Sequence, residues 1–230
     1  MEEVLEEVLS KEFEKYIYVL KHEIKNPVLA QIQGLKYLLK SVNSDFSPLQ
    51  KEILELTLNS CYKQCSIIND LISTFKFKKN DVKVRFENVL LIDCLNKVVN
   101  QLILELNLPA EIFEMKVDWD ENFIKADKVQ LYKALKMLLL LCLERADSSE
   151  KINIFLFNDC EEFVTIEVEG ILSSELCYKT DKMDLGFNQY CPIGTLVQQD
   201  LFYEIIKYLG GAFFEKMSGE KFKMGVVLKI

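Results

Sequence analysis

The first third of the chain contains two long apolar patterns with the spacing of α-helices. In the first pattern, apolar residues recur at steps of three and four, through Phe13, Ile17, Leu20, Ile24, Val28, Ile32, Leu35 and Leu39. The second pattern alternates the same steps through Leu54, Leu58, Cys61, Cys65, Ile68, Ile72 and Phe75. Such steps line residues along one side of a helix, so each pattern predicts an amphipathic helix.

A short polar break separates the two patterns and marks the start of the second helix. The stretch SVNSDF at 41–46 interrupts the apolar spacing, and Ser47, Pro48 and Gln50 follow it. Ser47 suits the N-cap, Pro48 suits the first helical position, and Gln50 can complete a capping box. Two long helices joined by a short loop form a hairpin, which cannot bury two long apolar faces by itself. We expect residues 1–77 to form a homodimeric four-helix bundle or, as the alternative, to pack on the rest of the same chain.

The remainder of the chain mixes helical and strand-like patterns. A polar stretch at 78–88 is interpreted as a linker that runs into a short strand, and residues 89–230 as a second domain. Gly210 and Gly211 are expected to end its last helix. Helical spacing is found near 90–106, 127–146 and 197–209, and alternation typical of strands near 114–119, 152–158, 163–170, 211–217 and 223–230. This order predicts an α/β sandwich with helices on one face of a mostly antiparallel sheet, so the whole chain is assigned to the α+β class.

Composition and charge exclude several classes of partner. The net charge of −8 comes without a cluster of Lys or Arg, which argues against nucleic acid. The longest apolar run, MLLLLCL at 137–143, is far too short to cross a bilayer, and the acidic start of the chain does not resemble a secretory signal. Seven cysteines without a C-x-x-C motif suit reduced thiols. We therefore expect no membrane contact and a cytoplasmic location.

The only histidine of the chain lies in the stretch LKHEIKNPVLAQI at 20–32. Helical geometry turns His22 away from the apolar side of its helix, so it should be exposed. Glu23 adjoins it, Asn26 lies one turn further on, and Pro27 removes a backbone donor. An exposed imidazole beside a carboxylate can act as a nucleophile, because the acid holds the proton of one ring nitrogen while the other attacks. A zinc-binding H-E-x-x-H motif is excluded, since residue 26 is Asn.

The motif HEIKNP, placed in a helical hairpin that an α/β domain follows, resembles the phosphoacceptor box of the sensor histidine kinases of two-component signalling. The resemblance covers essentially the whole chain, and the box is its most specific part. It implies that His22 carries the phosphoryl group, that Glu23 is its acid/base partner, and that Asn26 orients water when a phosphorylated partner is hydrolysed. It also implies that the second domain has the fold of the ATP-binding domain of these kinases.

The second domain departs from that family at three nucleotide-binding elements. The family has Asn residues on the first long helix to hold Mg²⁺, and this sequence has Met137 and Leu141 there, which cannot coordinate a hard cation. The stretch EGILSSEL at 169–176 lacks the family's Asp-x-Gly, and Leu196 and Gln198 stand where a glycine-rich turn is expected. We therefore expect this chain to bind no cofactor and no ATP, and Mg²⁺ to come from the receiver partner.

A retained phosphoacceptor beside an altered ATP domain predicts a histidine phosphotransferase. His22 would pass a phosphoryl group to or from an Asp of a response-regulator receiver domain. Beyond His22 and Asn26, the helix stripe of Ala30, Gln33 and Tyr37 is interpreted as the face that docks the receiver, although a plain solvated helix face has the same pattern.

The expected partners are a second copy of the chain and receiver domains, with a hybrid histidine kinase as a further candidate. Two alternatives stay open. The chain could be a divergent but active histidine kinase that binds Mg-ATP, or a non-catalytic pseudokinase or receiver phosphatase that regulates a two-component pathway.

Overall fold

The chain divides into two compact units, residues 1–80 and 81–230. The computed structural model describes residues 15–40, 46–83, 85–119, 123–160, 162–173 and 193–230. Phe13 and most of the predicted loop at 41–46 lie outside the described residues. None of the described helices has the length and apolar character needed to cross a membrane.

The first unit is a helical hairpin. A π-helical turn, Leu20–Lys25, runs into helix α1, Asn26–Lys40, and helix α2 spans Pro48–Lys78. At the start of α2 the N–H of Gln50 donates to the Ser47 hydroxyl at 3.3 Å, and the N–H of Ser47 donates to the Gln50 side chain at 2.8 Å. The predicted capping box is therefore confirmed.

The two predicted apolar patterns meet in the core of this hairpin. Val28 and Ile32 of α1 are buried with Cys61 of α2. The residues partly buried against them are Leu35, Leu58, Cys65 and Ile68. Much of both patterns is thus used within one chain, before any partner is considered.

One member of the first pattern does not lie where the sequence predicted. Ile24 is 43% exposed, while Lys21 and Lys25 on either side are partly buried. The π turn is the reason, because its wider hydrogen-bond spacing shifts the register between the residues before it and those after it. Ile24 is therefore not part of the core that the hairpin forms within one chain.

The second unit contains a five-stranded sheet, a two-stranded ribbon and three helices among the described residues. Its elements in chain order are β1 (Phe86–Leu90), α3 (Leu91–Leu106), β2 (Phe113–Asp118), β3 (Phe123–Asp127), α4 (Lys128–Arg145), β4 (Ile152–Cys160), β5 (Phe163–Ile171), α5 (Ile193–Tyr208), β6 (Ala212–Ser218) and β7 (Lys221–Lys229). The large sheet has the order β2-β4-β5-β7-β6, and β1 pairs with β3 in the ribbon. Only the β2–β4 pairing is parallel among these, so the predicted α+β class with a mostly antiparallel sheet is confirmed.

The large sheet buries one face against helices. Along β7 the alternate residues Phe222, Met224, Val226 and Leu228 are buried, as period-two spacing requires. Helix α4 is buried on most of its length, and α5 buries Leu201, Phe202 and Ile205. Helix α5 ends as predicted, because Gly210 takes the left-handed conformation with φ of 72°. A side chain at Gly211 would lie 2.6 Å from the carbonyl oxygen of Val227, which explains the second glycine.

Candidate functional site

His22 lies in the π-helical turn that precedes α1. His22, Glu23 and Asn26 are all exposed, and the turn has no buried residue. The structure therefore brings an imidazole, a carboxylate and an amide together on an accessible part of the hairpin. A partner can reach the imidazole without unfolding the chain.

Pro27 is the second residue of α1, two positions after the turn ends. Proline has no N–H, and in a regular α-helix its ring clashes with the carbonyl four residues earlier, which here belongs to Glu23. A π turn widens the backbone at this point, and single π turns are frequent at functional sites. We infer that Pro27 favours the π turn and thereby sets how the backbone of His22 and Glu23 is presented.

The ring of Tyr18 packs against His22. The two ring centroids are 4.5 Å apart, and the ring planes are inclined by 31°. Both side chains are exposed, so Tyr18 covers part of the imidazole and leaves the rest open to solvent. Sequence reasoning missed Tyr18, although its four-residue spacing from His22 on a helix was the available signal.

The predicted docking stripe is also accessible. Ala30, Gln33 and Tyr37 are exposed on α1, and Tyr37 is among the most exposed aromatic side chains described. Next to it, the Lys36 ammonium lies 5.2 Å from the centroid of the Tyr62 ring of α2. This exposure suits a docking face and a plain solvated face equally well.

A second region of interest is a cavity of about 250 Å³ in the second unit. Leu141 of α4 and Leu196 of α5 both line it, with Arg145, Gln199, Asp200, Tyr203, Phe213, Glu215 and Met224. Arg145 Nη1 lies 2.7 Å from Glu215 Oε1, and their side chains are 7% and 21% exposed. Burial raises the pKa of Glu215 above its ordinary value, and Arg145 only partly lowers it again. Sequence reasoning missed this ion pair.

No protein-family model matches the chain, and no curated protein sequence matches it. Solved structures do. The Acinetobacter baumannii histidine kinase AdeS superposes with a TM-score of 0.59 at 16% identity, over 92% of this chain and 97% of that one. Full-length ShkA in complex with AMPPNP gives a TM-score of 0.70 at 14% identity, over 93% of this chain and 45% of ShkA. A histidine kinase from Burkholderia phymatum STM815 gives 0.51 at 12% identity, over 89% and 95%.

The chain has the histidine kinase fold.

Within the histidine kinase fold, the positions that the resemblance assigns to Mg²⁺ are apolar and buried. Met137 and Leu141 are buried on α4 and supply no oxygen ligand. In the parts of the chain that the structure describes, no three His, Cys, Asp or Glu side chains are placed to share a metal ion. The cavity that Leu141 lines carries two carboxylates, Asp200 and Glu215, against the single guanidinium of Arg145. The two positions that the resemblance assigns to Mg²⁺ thus supply no ligand for it, and the described lining of this cavity has one more acidic than basic side chain.

Glu169 and Gly170, in the stretch EGILSSEL, have structural roles. Glu169 forms an ion pair with Lys223, which also lies 3.0 Å from Glu167. Lys223 alternates with the buried Phe222 and Met224 on β7, so this pairing lies on the face of the sheet away from the cavity. A side chain at Gly170 would lie 2.7 Å from the Phe222 ring, so close packing requires that glycine.

Asp127 is the N-cap of α4. Its carboxylate accepts hydrogen bonds from the N–H groups of Val129 at 3.0 Å and Gln130 at 3.1 Å, and from the N–H of Arg85 at 3.1 Å. It therefore fastens the start of α4 to the chain just before β1. Gln198, at a predicted glycine position, is partly buried on α5.

Proposed function

We propose that this chain is a two-component phosphorelay protein in which His22 accepts a phosphoryl group from an aspartyl phosphate of a receiver domain and passes it to another. The observation that carries the proposal is the exposure of His22, Glu23 and Asn26 together on the π turn of a hairpin, in a chain with the histidine kinase fold. The solved structures support the fold and the relation to two-component kinases. The direction of transfer is our proposal.

The proposed phosphoryl transfer requires this chain mainly to position the imidazole of His22. The unprotonated ring nitrogen of His22 attacks the phosphorus, the bond between phosphorus and the Asp oxygen breaks, and the Asp leaves as a carboxylate. Glu23 holds the proton of the other ring nitrogen, while the receiver supplies Mg²⁺ for the charge on the phosphoryl oxygens. A receiver domain is bulky, so its in-line approach requires an exposed imidazole. The π turn provides this exposure, since none of its residues is buried.

The proposed partners bind the exposed surface of the hairpin. We propose that a receiver docks along the stripe of Ala30, Gln33 and Tyr37, next to Asn26, and that two copies of the chain pair through their hairpins. A receiver, rather than ATP, is proposed as phosphoryl donor because Met137 and Leu141 replace oxygen ligands and because the neighbouring cavity contains the Arg145–Glu215 pair.

A receiver phosphatase is the second candidate, since Glu23 and Asn26 stand exposed beside His22 and could orient a water molecule. An Asn26→Ala variant separates the two functions. Loss of receiver dephosphorylation with phosphorylation of His22 intact would favour the phosphatase, while unchanged transfer and turnover would favour the relay.

The deciding experiment compares two phosphoryl donors with the full chain. Radiolabelled Mg-ATP alone should leave the protein unlabelled, whereas a phosphorylated cognate receiver should transfer an acid-labile, base-stable phosphate to it. His22→Gln should abolish the label because the chain has no other histidine. Lys40→Gln, an exposed change at the far end of α1, should label as the wild type does.

Direct labelling from Mg-ATP would replace this proposal with an active kinase. If neither donor labels the protein and a receiver still binds, a non-catalytic regulator would be the better description.

A further inference from the structure

A larger cavity of about 460 Å³ lies elsewhere in the second unit. The β1–β3 ribbon, the start of α3 and the first turns of α4 enclose it. It shares no lining residue with the cavity of the Arg145–Glu215 pair. Its volume falls within the range of small-molecule sites, which is about 300–1,000 Å³.

Apolar side chains at the mouth of this cavity are exposed to water. Phe123 of β3 is 52% exposed and Val129 of α4 is 71% exposed. Leu90 of β1 lies opposite Phe123 in the ribbon and is partly buried. An apolar group of a ligand that covered these three side chains would remove their surface from water, which is favourable.

The charged residues around the cavity favour an anion. Lys97 and Lys128 face a single carboxylate, Asp93, among the lining residues. Burial raises the pKa of the lining thiol Cys94 to about 11, and Lys128 and Lys97 both act to lower it. The two ammonium groups are therefore close enough to act on one point of the cavity wall, although the chain as a whole has a charge of −8.

Two backbone N–H groups at the start of α4 are not available to an anion. The N–H groups of Val129 and Gln130 already donate to the Asp127 carboxylate. An anion in the cavity would thus be held by the lysine side chains and not by these two backbone donors.

We propose that this cavity binds a small amphipathic anion, such as a medium-chain carboxylate. Its head group would lie between Lys97 and Lys128, and its chain would pack on Leu90, Phe123 and Val129. This site is independent of His22 and of the proposed phosphoryl transfer.

The test is calorimetric titration of the full chain with decanoate, with decyltrimethylammonium as a cation of similar apolar length. Decanoate should bind saturably at one site, and the cation should not. A Lys97→Gln, Lys128→Gln double variant should weaken binding by at least about tenfold, as expected for the loss of charge-assisted hydrogen bonds. Val129→Asp should also weaken it, and because Val129 is exposed the fold should be retained.

A matched control is Lys207→Gln, which removes an exposed lysine of α5 outside the cavity. It should bind decanoate as the wild type does. The rate at which iodoacetamide modifies Cys94, read from the mass of its peptide, should fall when decanoate is bound. Equal binding of both amphiphiles, an unaffected double variant, or no saturable binding would overturn the proposal.

Discussion

Arg145 and Glu215 form an ion pair between α4 and β6, with 2.7 Å between Nη1 and Oε1, although 70 positions separate them in the sequence. The raised pKa of Glu215 shows that burial penalises its charge more than Arg145 stabilises it. Such a pair contributes little net stability as a whole, yet each partner depends on the other. The pair also lines the cavity that Leu141 and Leu196 line.

Glu215→Gln should destabilise the protein because it removes the carboxylate that lies 2.7 Å from the buried guanidinium of Arg145. We expect a loss of about 2 kcal/mol in the free energy of unfolding, below the full cost for a completely buried pair because Glu215 keeps some solvent contact. Urea unfolding measures this. The double variant Arg145→Met, Glu215→Leu should recover most of the loss, and a double variant less stable than the single one would contradict this reasoning.

The matched control for that change is Glu105→Gln. Lys136 Nζ and Glu105 Oε2 are also 2.7 Å apart, but this pair is more exposed. Its loss should change the free energy of unfolding by less than about 1 kcal/mol.

Pro27→Ala should let the N–H of residue 27 donate to the Glu23 carbonyl and convert the π turn to regular α-helix. The helix should become more stable, since a proline inside a helix costs about 3 kcal/mol. His22 in the turn and Tyr18 before it should rotate relative to α1, so phosphoryl transfer from a receiver to His22 should slow. Thermal unfolding and the initial rate of labelling report the two effects.

Pro48→Ala serves as the control for the Pro27 change. Pro48 occupies the first turn of α2, where a missing N–H is harmless. Both stability and labelling should change little there. Equal labelling rates for Pro27→Ala and the wild type would show that the π turn does not matter for transfer.

Ile53→Asp and Leu56→Asp test the proposed pairing of hairpins. Ile53 is 53% exposed and Leu56 is 61% exposed in the single chain, so each can be changed without opening the hairpin core. If two copies pair through this face, a buried carboxylate there should dissociate them while helix content is retained. Sedimentation of the full chain at micromolar concentration measures this, and Asn59→Asp, also exposed on α2, is the control.

Leu58→Asp is a different test, because Leu58 packs against the hairpin's own core. It should unfold the first unit as well as affect any dimer. A wild-type chain that sediments as a folded monomer would contradict the four-helix bundle.

Alkaline pH should destabilise the protein through two buried thiols. Burial raises the pKa of Cys94 from 9.0 to about 11 and that of Cys142 further still. A raised pKa in the folded state means that folding favours the protonated thiol, so this stability is complete below pH 9 and is lost as the pH rises towards 11. For Cys94 the loss should be about 1 kcal/mol at pH 10.

The measurement is the difference in the free energy of unfolding between pH 8 and pH 10, under reducing conditions. Cys94→Ala and Cys142→Ala should each show a smaller difference than the wild type, whatever their absolute stability. Cys65→Ala, at a partly buried position of the hairpin, should keep the wild-type difference. Identical pH dependence in all four proteins would contradict the role of these thiols.

Local patterns in the sequence were sufficient for the main architecture. Helical spacing and the Ser47–Gln50 capping box predicted the hairpin, and alternation predicted all five strands of the large sheet. The α+β class is confirmed, since each of these signals depends on residues a few positions apart. The roles of His22, Glu23 and Asn26 stay predictions, because exposure alone does not distinguish a phosphoacceptor from an ordinary surface histidine.

Other features depend on tertiary structure and could not be predicted from local sequence patterns. Strand β3 was not predicted, because its five residues are stabilised by pairing with β1, more than thirty positions earlier. The π turn displaced Ile24 from the apolar side because backbone hydrogen bonding, and not side-chain spacing, sets the helical register there. The Arg145–Glu215 pair and the cavity beside Lys97 and Lys128 exist only when distant segments pack together. The sequence by itself therefore determined the helices and strands of this protein, and the packing of those elements determined its cavities and their charge.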